Sequence, residues 1–118
     1  MSDAATVPRQ GVLTGPAERR RVIALLRALE DRLRRRGVRR LRLFGSVARG
    51  EADLLSDVDL LAEIDRAAVP NFSLLDLVDL ELELGERLGR AVQIATAPAK
   101  LHPRVRARVE RDVLEVFG

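Results

Sequence analysis

The stretch "LFGSVARGEADLLSDVDLLAE", residues 43–63, constrains this chain more than any other. An apolar run ends at Gly45-Ser46, a largely polar segment follows, and the next apolar run opens on two aspartates one residue apart. The fold must therefore supply a strand, a tight turn and a second strand that starts in charge. Side chains at i and i+2 of a strand share a face, so Asp57 and Asp59 project together while Val58 and Leu60 line the other side. Two carboxylates so close resist ionising together unless a cation sits between them. Hard oxygen donors of this kind suit Mg²⁺, with Mn²⁺ as the alternative, the rest of the shell coming from water and phosphate oxygens. A glycine at the turn lets the backbone approach closely, and the N–H groups of a turn entering a helix cradle anions. Arg49, one turn on, adds a guanidinium suited to phosphate. Together these residues describe a nucleoside-triphosphate site in which a metal bridges the phosphates.

Hydrophobic spacing extends the reading to the whole chain. Residues 1–15 lack periodicity and carry Pro8, Gly11 and Gly15, which predicts a mobile N-terminal arm. One domain is expected over 16–118. Pro16 suits a first helical turn, and Val22, Leu25, Leu26, Leu29 and Leu33 recur at helical spacing up to Gly37, a stop signal. The arginines at 19, 20, 27, 34 and 35 read as the solvated side of that helix. "VRRLRLF" (38–44) predicts a strand, residues 46–52 a short helix or turn, and "DVDLLAEI" (57–64) a second strand. Ser73 and Asp76 form a capping-box pattern ahead of a helix over 74–88. "VDLELEL" (78–84) also alternates as a strand would; the stripe Leu77, Leu80, Leu84 and Leu88, with Gly89 as a stop, favours helix and leaves Leu75 and Leu82 off the stripe. "RAVQIAT" (90–96) reads as a third strand, and Pro103–Glu110, with Val105 and Val109, as a last helix. "VLEVF" is a helix end or a short strand. The order α-β-α-β-α-β-α is that of a small α/β sandwich.

Composition excludes several function classes. There is no cysteine, hence no disulfide and no thiolate metal site, which fits a reducing cytoplasm. No window is long and apolar enough for a membrane span, and the start lacks a signal-peptide pattern. The net charge of +3 hides two electrostatic faces: residues 17–43 hold eleven Arg against three acids, and residues 51–88 hold eleven acids against two Arg. With three Phe as the only aromatics, stacking platforms for single-stranded nucleic acid are missing, which disfavours nucleic acid as a partner. The opposed charges are compatible with an oligomer formed with a partner.

The run "GSVARGEADLLSDVDLL" resembles the signature of the DNA polymerase β-type nucleotidyltransferase superfamily, Gly-Ser followed at this distance by Asp-x-Asp. Its flanks, "LRLFGSVARGEA" and "SDVDLLAEI", look more like the minimal nucleotidyltransferases than the polymerases, and residues 71–117 are similar to the remainder of that group. The resemblance covers 17–117. It implies a palm-like mixed β-sheet of three to four strands packed with helices, with Gly45 and Ser46 as the phosphate-contacting turn and Asp57 and Asp59 as the first two metal-binding, catalytic acids. It implies ATP as substrate. It also implies a partner, since such proteins often act as antitoxins of HEPN-type toxins, in some cases by transferring AMP from ATP to a toxin tyrosine.

One residue departs from the pattern. Active members carry a third acid on the later strand, where this chain reads "VQIA" and places Gln93. An amide oxygen brings no negative charge and takes no proton from an attacking hydroxyl. Glu63 shares the parity of Asp57 and Asp59, but four residues of strand put it about 13 Å from Asp59, so it reads as a rim charge or salt-bridge partner. Glu51 reads as a solvated helix-end charge, and His102 as a loop residue ahead of Pro103. The expected function is Mg²⁺-dependent transfer of AMP from ATP to a hydroxyl of a partner protein. The alternative is a catalytically impaired antitoxin that neutralises its toxin by contact. Modification of a small molecule of the aminoglycoside type is disfavoured, since the chain has little room for a second, acceptor-enclosing domain.

Overall fold

The computed structural model describes residues 11–96 and 101–118. Among these residues five helices, α1 (Gly15–Ala28), α2 (Glu30–Arg35), α3 (Gly45–Ala48), α4 (Leu74–Leu88) and α5 (Pro103–Asp112), accompany four strands, β1 (Val38–Phe44), β2 (Val58–Ile64), β3 (Val92–Ala95) and β4 (Leu114–Phe117). The strands form one mixed sheet in the order β3-β2-β1-β4. The short α3 connection returns the chain antiparallel beside β1, whereas the link carrying α4 crosses over and brings β3 parallel to β2. This is the α/β fold with a mixed sheet of up to four strands that the sequence led us to expect.

One sheet face is apolar. Leu41, Leu43, Val58, Leu60 and Ile94 are buried there against Val22 and Leu26 of α1, Leu33 of α2 and Leu80, Leu84 and Leu88 of α4. Cross-strand partners share a face, and the register Phe44↔Asp59↔Gln93 puts these three residues together on the opposite side. The predicted helix over 74–88 prevails over its strand alternative. Ser73 and Asp76 make the reciprocal capping box, and Gly89 closes the helix in the left-handed region at φ 73°.

One expectation changes in detail and one open alternative resolves. The first helix does not run unbroken to Gly37: at Leu29 (φ −95°, ψ 6°) it tightens into a turn whose N–H is shared between the Leu25 and Leu26 carbonyls. The C-terminal "VLEVF" resolves as strand β4 paired with β1, and the Phe117 ring lies under the Arg34 guanidinium at 4.8 Å. Of the arm expected to be mobile, residues 1–10 lie outside the described residues. Its last part is tied down: the Gly15 N–H donates to the Ala52 carbonyl at 2.9 Å. Among the described residues no helix is long and apolar enough to cross a membrane.

A buried charge pair joins these parts. Glu18 of α1 is 0% exposed and Arg90, at the start of the third-strand run, 3%. Arg90 donates to Glu18 and also to the carbonyls of Ser56 (2.6 Å) and Leu13 (2.8 Å). Glu18 further accepts from Arg21 at 2.6 Å and from the Leu13 N–H at 3.0 Å. Burial pushes the Glu18 carboxyl up, but the bonds from Arg21, Arg90 and Leu13 outweigh it and hold it below the ordinary value. Nothing in the residue pattern around the "ERRR" run or "GRAV" singles this pair out.

Removing one partner of a buried ion pair leaves an uncompensated charge and costs about 3–5 kcal/mol. We therefore expect Arg90→Ala and Glu18→Ala each to lower unfolding stability by that order in urea denaturation. The lowered carboxyl of Glu18 contributes stability that is present above its unfolded pKa and lost as pH falls through the folded one. Glu18→Gln should flatten that acid limb.

Candidate functional site

The turn after β1 carries the site. Phe44 ends the strand extended, and Gly45 enters α3 at φ +83°. An L side chain there would be strained, and a Cβ on Gly45 would run into the Asp59 carboxylate, with Cγ at 3.3 Å. Glycine is required because the acid of β2 lies directly on the backbone of the turn. The first N–H groups of a helix have no partner within it, so α3 offers backbone donors beside Asp59. Gly45, Ser46 and Asp59 line one cavity of about 360 Å³, together with Phe44, Arg49 and three residues of α5, Val105, Arg108 and Asp112.

Asp57 stands one residue before β2 and is exposed, while Asp59 is half-buried. The loop leading to them is built by Asp53, which accepts from the Leu55 N–H at 2.8 Å and the Ser56 hydroxyl at 3.1 Å. Arg90 holds the Ser56 carbonyl just before Asp57. Burial, and next the neighbouring Asp57 carboxylate, push the Asp59 carboxyl above its ordinary value; Arg49 pulls it back in part. A carboxylate whose ionisation its acidic neighbour opposes, set against a backbone that admits no Cβ, is a donor set that a hard divalent cation fits.

Gln93 sits where the third acid was expected, in register with Asp59 on the adjoining strand. Among the described residues, no three His, Cys, Asp or Glu side chains gather as a metal-holding group. The oxygen donors in register here are the Asp59 carboxylate and the Gln93 amide, with Asp57 near enough to raise Asp59 but lining neither cavity. A second cavity, about 350 Å³, shares Phe44, Asp59 and Val105 with the first and adds Gln93, Ile94 and Glu81 of α4. The cleft has two lobes that meet at Asp59: one holds the Gly45-Ser46 turn, the other Gln93 and Glu81. A larger cavity of about 500 Å³, lined by Arg35, Arg36 and Phe72, contains none of these residues.

Other sequence-predicted residues divide clearly. Arg49 lines the first lobe, but its guanidinium is engaged twice, with Glu51 and with Asp112, each at 2.9 Å. Glu51 is therefore a partner of Arg49 rather than a free surface charge. Glu63 is a salt-bridge residue, reached by Arg39 (3.1 Å) and Arg40 (3.3 Å). His102 caps α5, its Nδ1 accepting from the Arg104 N–H at 3.2 Å. Of the two valines noted on α5, Val105 is 38% exposed and lines the cleft, and Val109 is buried. Sequence reasoning missed Arg108, which lines the first lobe and makes no ion pair among the described residues. It also missed Glu81, whose carboxylate accepts from the Ile94 N–H at 2.8 Å. A run of arginines at alternate positions in "PRVRAR" was the only signal available for Arg108.

Comparison with known proteins converges on one group. Residues 25–115 match the nucleotidyltransferase domain family. A Methanocaldococcus jannaschii protein provisionally named a protein adenylyltransferase is 39% identical over 85 residues, 72% of this chain and 86% of the relative. Protein adenylyltransferase MntA of Thermococcus cleftensis is 37% identical over 94 residues, 79% of this chain and 90% of that one. A solved structure provisionally described as a minimal nucleotidyltransferase superposes with a TM-score of 0.61 at 36% identity, covering 88% of this chain and 97% of its own. A toxin–antitoxin structure containing AMP-PNP shares the fold at a TM-score of 0.59 and 18% identity, covering 85% of this chain and 73% of its own.

Two substitutions probe the contact between Gly45 and Asp59. Gly45→Ala should cost about 1–2 kcal/mol from backbone strain alone and displace Asp59, read as a lower Tm in thermal unfolding. A raised carboxyl favours the fold below its unfolded pKa, and that stability is lost as pH rises through the folded one. Asp59→Asn should therefore raise the Tm of the chain at neutral pH.

Proposed function

This chain belongs to the nucleotidyltransferase domain family, a family of transferases, and from that premise we propose that it transfers AMP from ATP to a hydroxyl of a partner protein. The observation that carries the reading is the seat of Asp59 on the Gly45 backbone, which sets acid and phosphate turn against one another. In this reading the triphosphate lies in the first lobe. The Gly45 and Ser46 N–H groups hold phosphate oxygens. Arg108 supplies the uncommitted guanidinium there, while Arg49 stays paired with Asp112 and shapes the wall. Asp57 and Asp59 would hold Mg²⁺, or Mn²⁺ in its place, and the cation would supply neutralisation of the phosphate charge.

The acceptor hydroxyl enters the second lobe. Its oxygen forms a bond to the α-phosphorus, the bond from that phosphorus to the β-phosphate bridging oxygen breaks, and pyrophosphate leaves. Gln93 orients the hydroxyl through its amide but cannot take the proton, which passes to a carboxylate of the same lobe, where Asp59 and Glu81 stand. The protein-adenylyltransferase names of two relatives support a protein acceptor. The sequence resemblance supports a HEPN-type toxin as that partner, with this chain as its antitoxin in the cytoplasm.

Gln93 favours a second reading, in which the chain keeps fold and nucleotide binding but neutralises its toxin by contact. Labelled ATP, Mg²⁺ or Mn²⁺ and the partner separate the two. If the wild type labels the partner and Asp57→Asn falls by 10² or more, the transferase reading holds. If the wild type labels nothing and Gln93→Asp does, the missing third carboxylate is the reason and the contact reading takes its place. Arg108→Ala should weaken ATP binding about tenfold, the order of one charge-assisted hydrogen bond, and Arg49→Ala should weaken it less.

A further inference from the structure

Helix α4 has a second apolar side that the fold does not use. Leu80, Leu84 and Leu88 face the core, whereas Leu74 (73% exposed), Val78 (40%) and Leu82 (63%) follow at i, i+4 and i+8 on the surface, with Leu75 (76%) beside them. Scattered exposed leucines are ordinary, but a contiguous row of four on one helix marks a contact surface. Between this row and the start of β3 runs a groove of about 410 Å³, with Val78, Leu82, Ala91 and Val92 among its walls. Gly85 lies in it without a side chain, and a Cβ there would press on the Arg90 carbonyl at 3.1 Å.

The rim is acidic. Helical spacing puts Glu81 on one border of the row and Asp79 and Glu86 on the other, and no basic residue lines the groove among the described residues. A second copy of this chain docking the same face would oppose like charges. Charge complementarity selects a partner with an apolar stripe flanked by arginine or lysine. The groove also touches the cleft. Glu81 lines both the groove and the lobe that holds Gln93 and Asp59, so a chain seated on α4 lies one side chain away from the acceptor lobe.

We propose that the Leu74–Val78–Leu82 face of α4 and the adjoining groove are the docking surface for a basic amphipathic helix of the protein acceptor, which presents its hydroxyl past Glu81. The inference rests on the protein-acceptor reading above and names where that acceptor is gripped. A helix suits the site because its own i, i+4, i+7 residues mesh with the row, and its flanking cations meet Asp79, Glu81 and Glu86.

The test uses the full chain and an 18-residue helical peptide with leucines at i, i+4, i+7 and i+11, arginines on both flanks and a terminal tyrosine. A twin peptide carries glutamate in place of each arginine. In NMR titration we expect saturable shifts over residues 74–92, binding at least tenfold tighter for the arginine peptide, and a loss of tenfold or more in Leu75→Glu/Leu82→Glu. Both residues are well exposed, so this variant should keep the wild-type melting curve and ATP affinity. Equal binding of the twins, shifts elsewhere, no binding, or an indifferent variant would overturn the proposal. So would a dimer of the chain alone, seen by sedimentation and dissolved by Leu82→Glu. If the peptide docks on α4 but its tyrosine never receives labelled AMP, the docking surface stands and the protein-acceptor reading fails. If a protein acceptor is labelled equally well by Leu75→Glu/Leu82→Glu, the reverse holds.

Discussion

The fold is organised around one pair of charges taken out of water. Glu18 and Arg90 are both buried, and neither tolerates that environment alone, because desolvating an ion costs several kcal/mol unless partners replace the water. The replacements come from neighbours of Glu18, Arg21 and Leu13, on one side, and from the distant Ser56 and Leu13 carbonyls on Arg90's side. Arg21 also donates to the Leu88 carbonyl at the end of α4, at 2.7 Å. Satisfying two charges thus fixes the N-terminal segment, α1, the end of α4, the start of β3 and the loop before Asp57 relative to one another. The carboxylates of the cleft inherit their position from this network.

Within the cleft the governing fact is steric. Asp59 occupies the space a side chain at position 45 would need, so the acid and the backbone donors sit closer than two ordinary residues could. The arrangement is electrostatically uncomfortable, as the raised Asp59 carboxyl shows, and a cation held there would relieve it. The fold holds the Asp59 carboxylate where its charged form is disfavoured, a perturbation that clusters at functional sites.

What the sequence made legible is what depends on neighbours along the chain. Spacing revealed α4 and its cap at Ser73, and strand periodicity placed Asp59 on β2, whereas Asp57 stands one residue before that strand. The departure at Gln93 was visible through family resemblance and acquires its meaning from the register with Asp59. The rest depends on residues far apart. Glu18 and Arg90 are 72 positions apart, and each lies among many other charged residues. Arg108 reaches the lobe only because α5 packs beside α3, and Glu81 reaches β3 only because α4 lies along it. "VLEVF" was ambiguous for the same reason: four residues become a strand when β1 is there to receive them.

Glu81's grip on the Ile94 N–H has a further outcome for how this protein behaves in a crowd. β3 and β4 are the outermost strands of the sheet and only four residues each. An outer strand with free N–H groups invites another chain to add itself, which is how soluble sheets begin to polymerise. Here a carboxylate from the molecule's own helix occupies a donor that such an intruder would use, and its charge repels what it does not block.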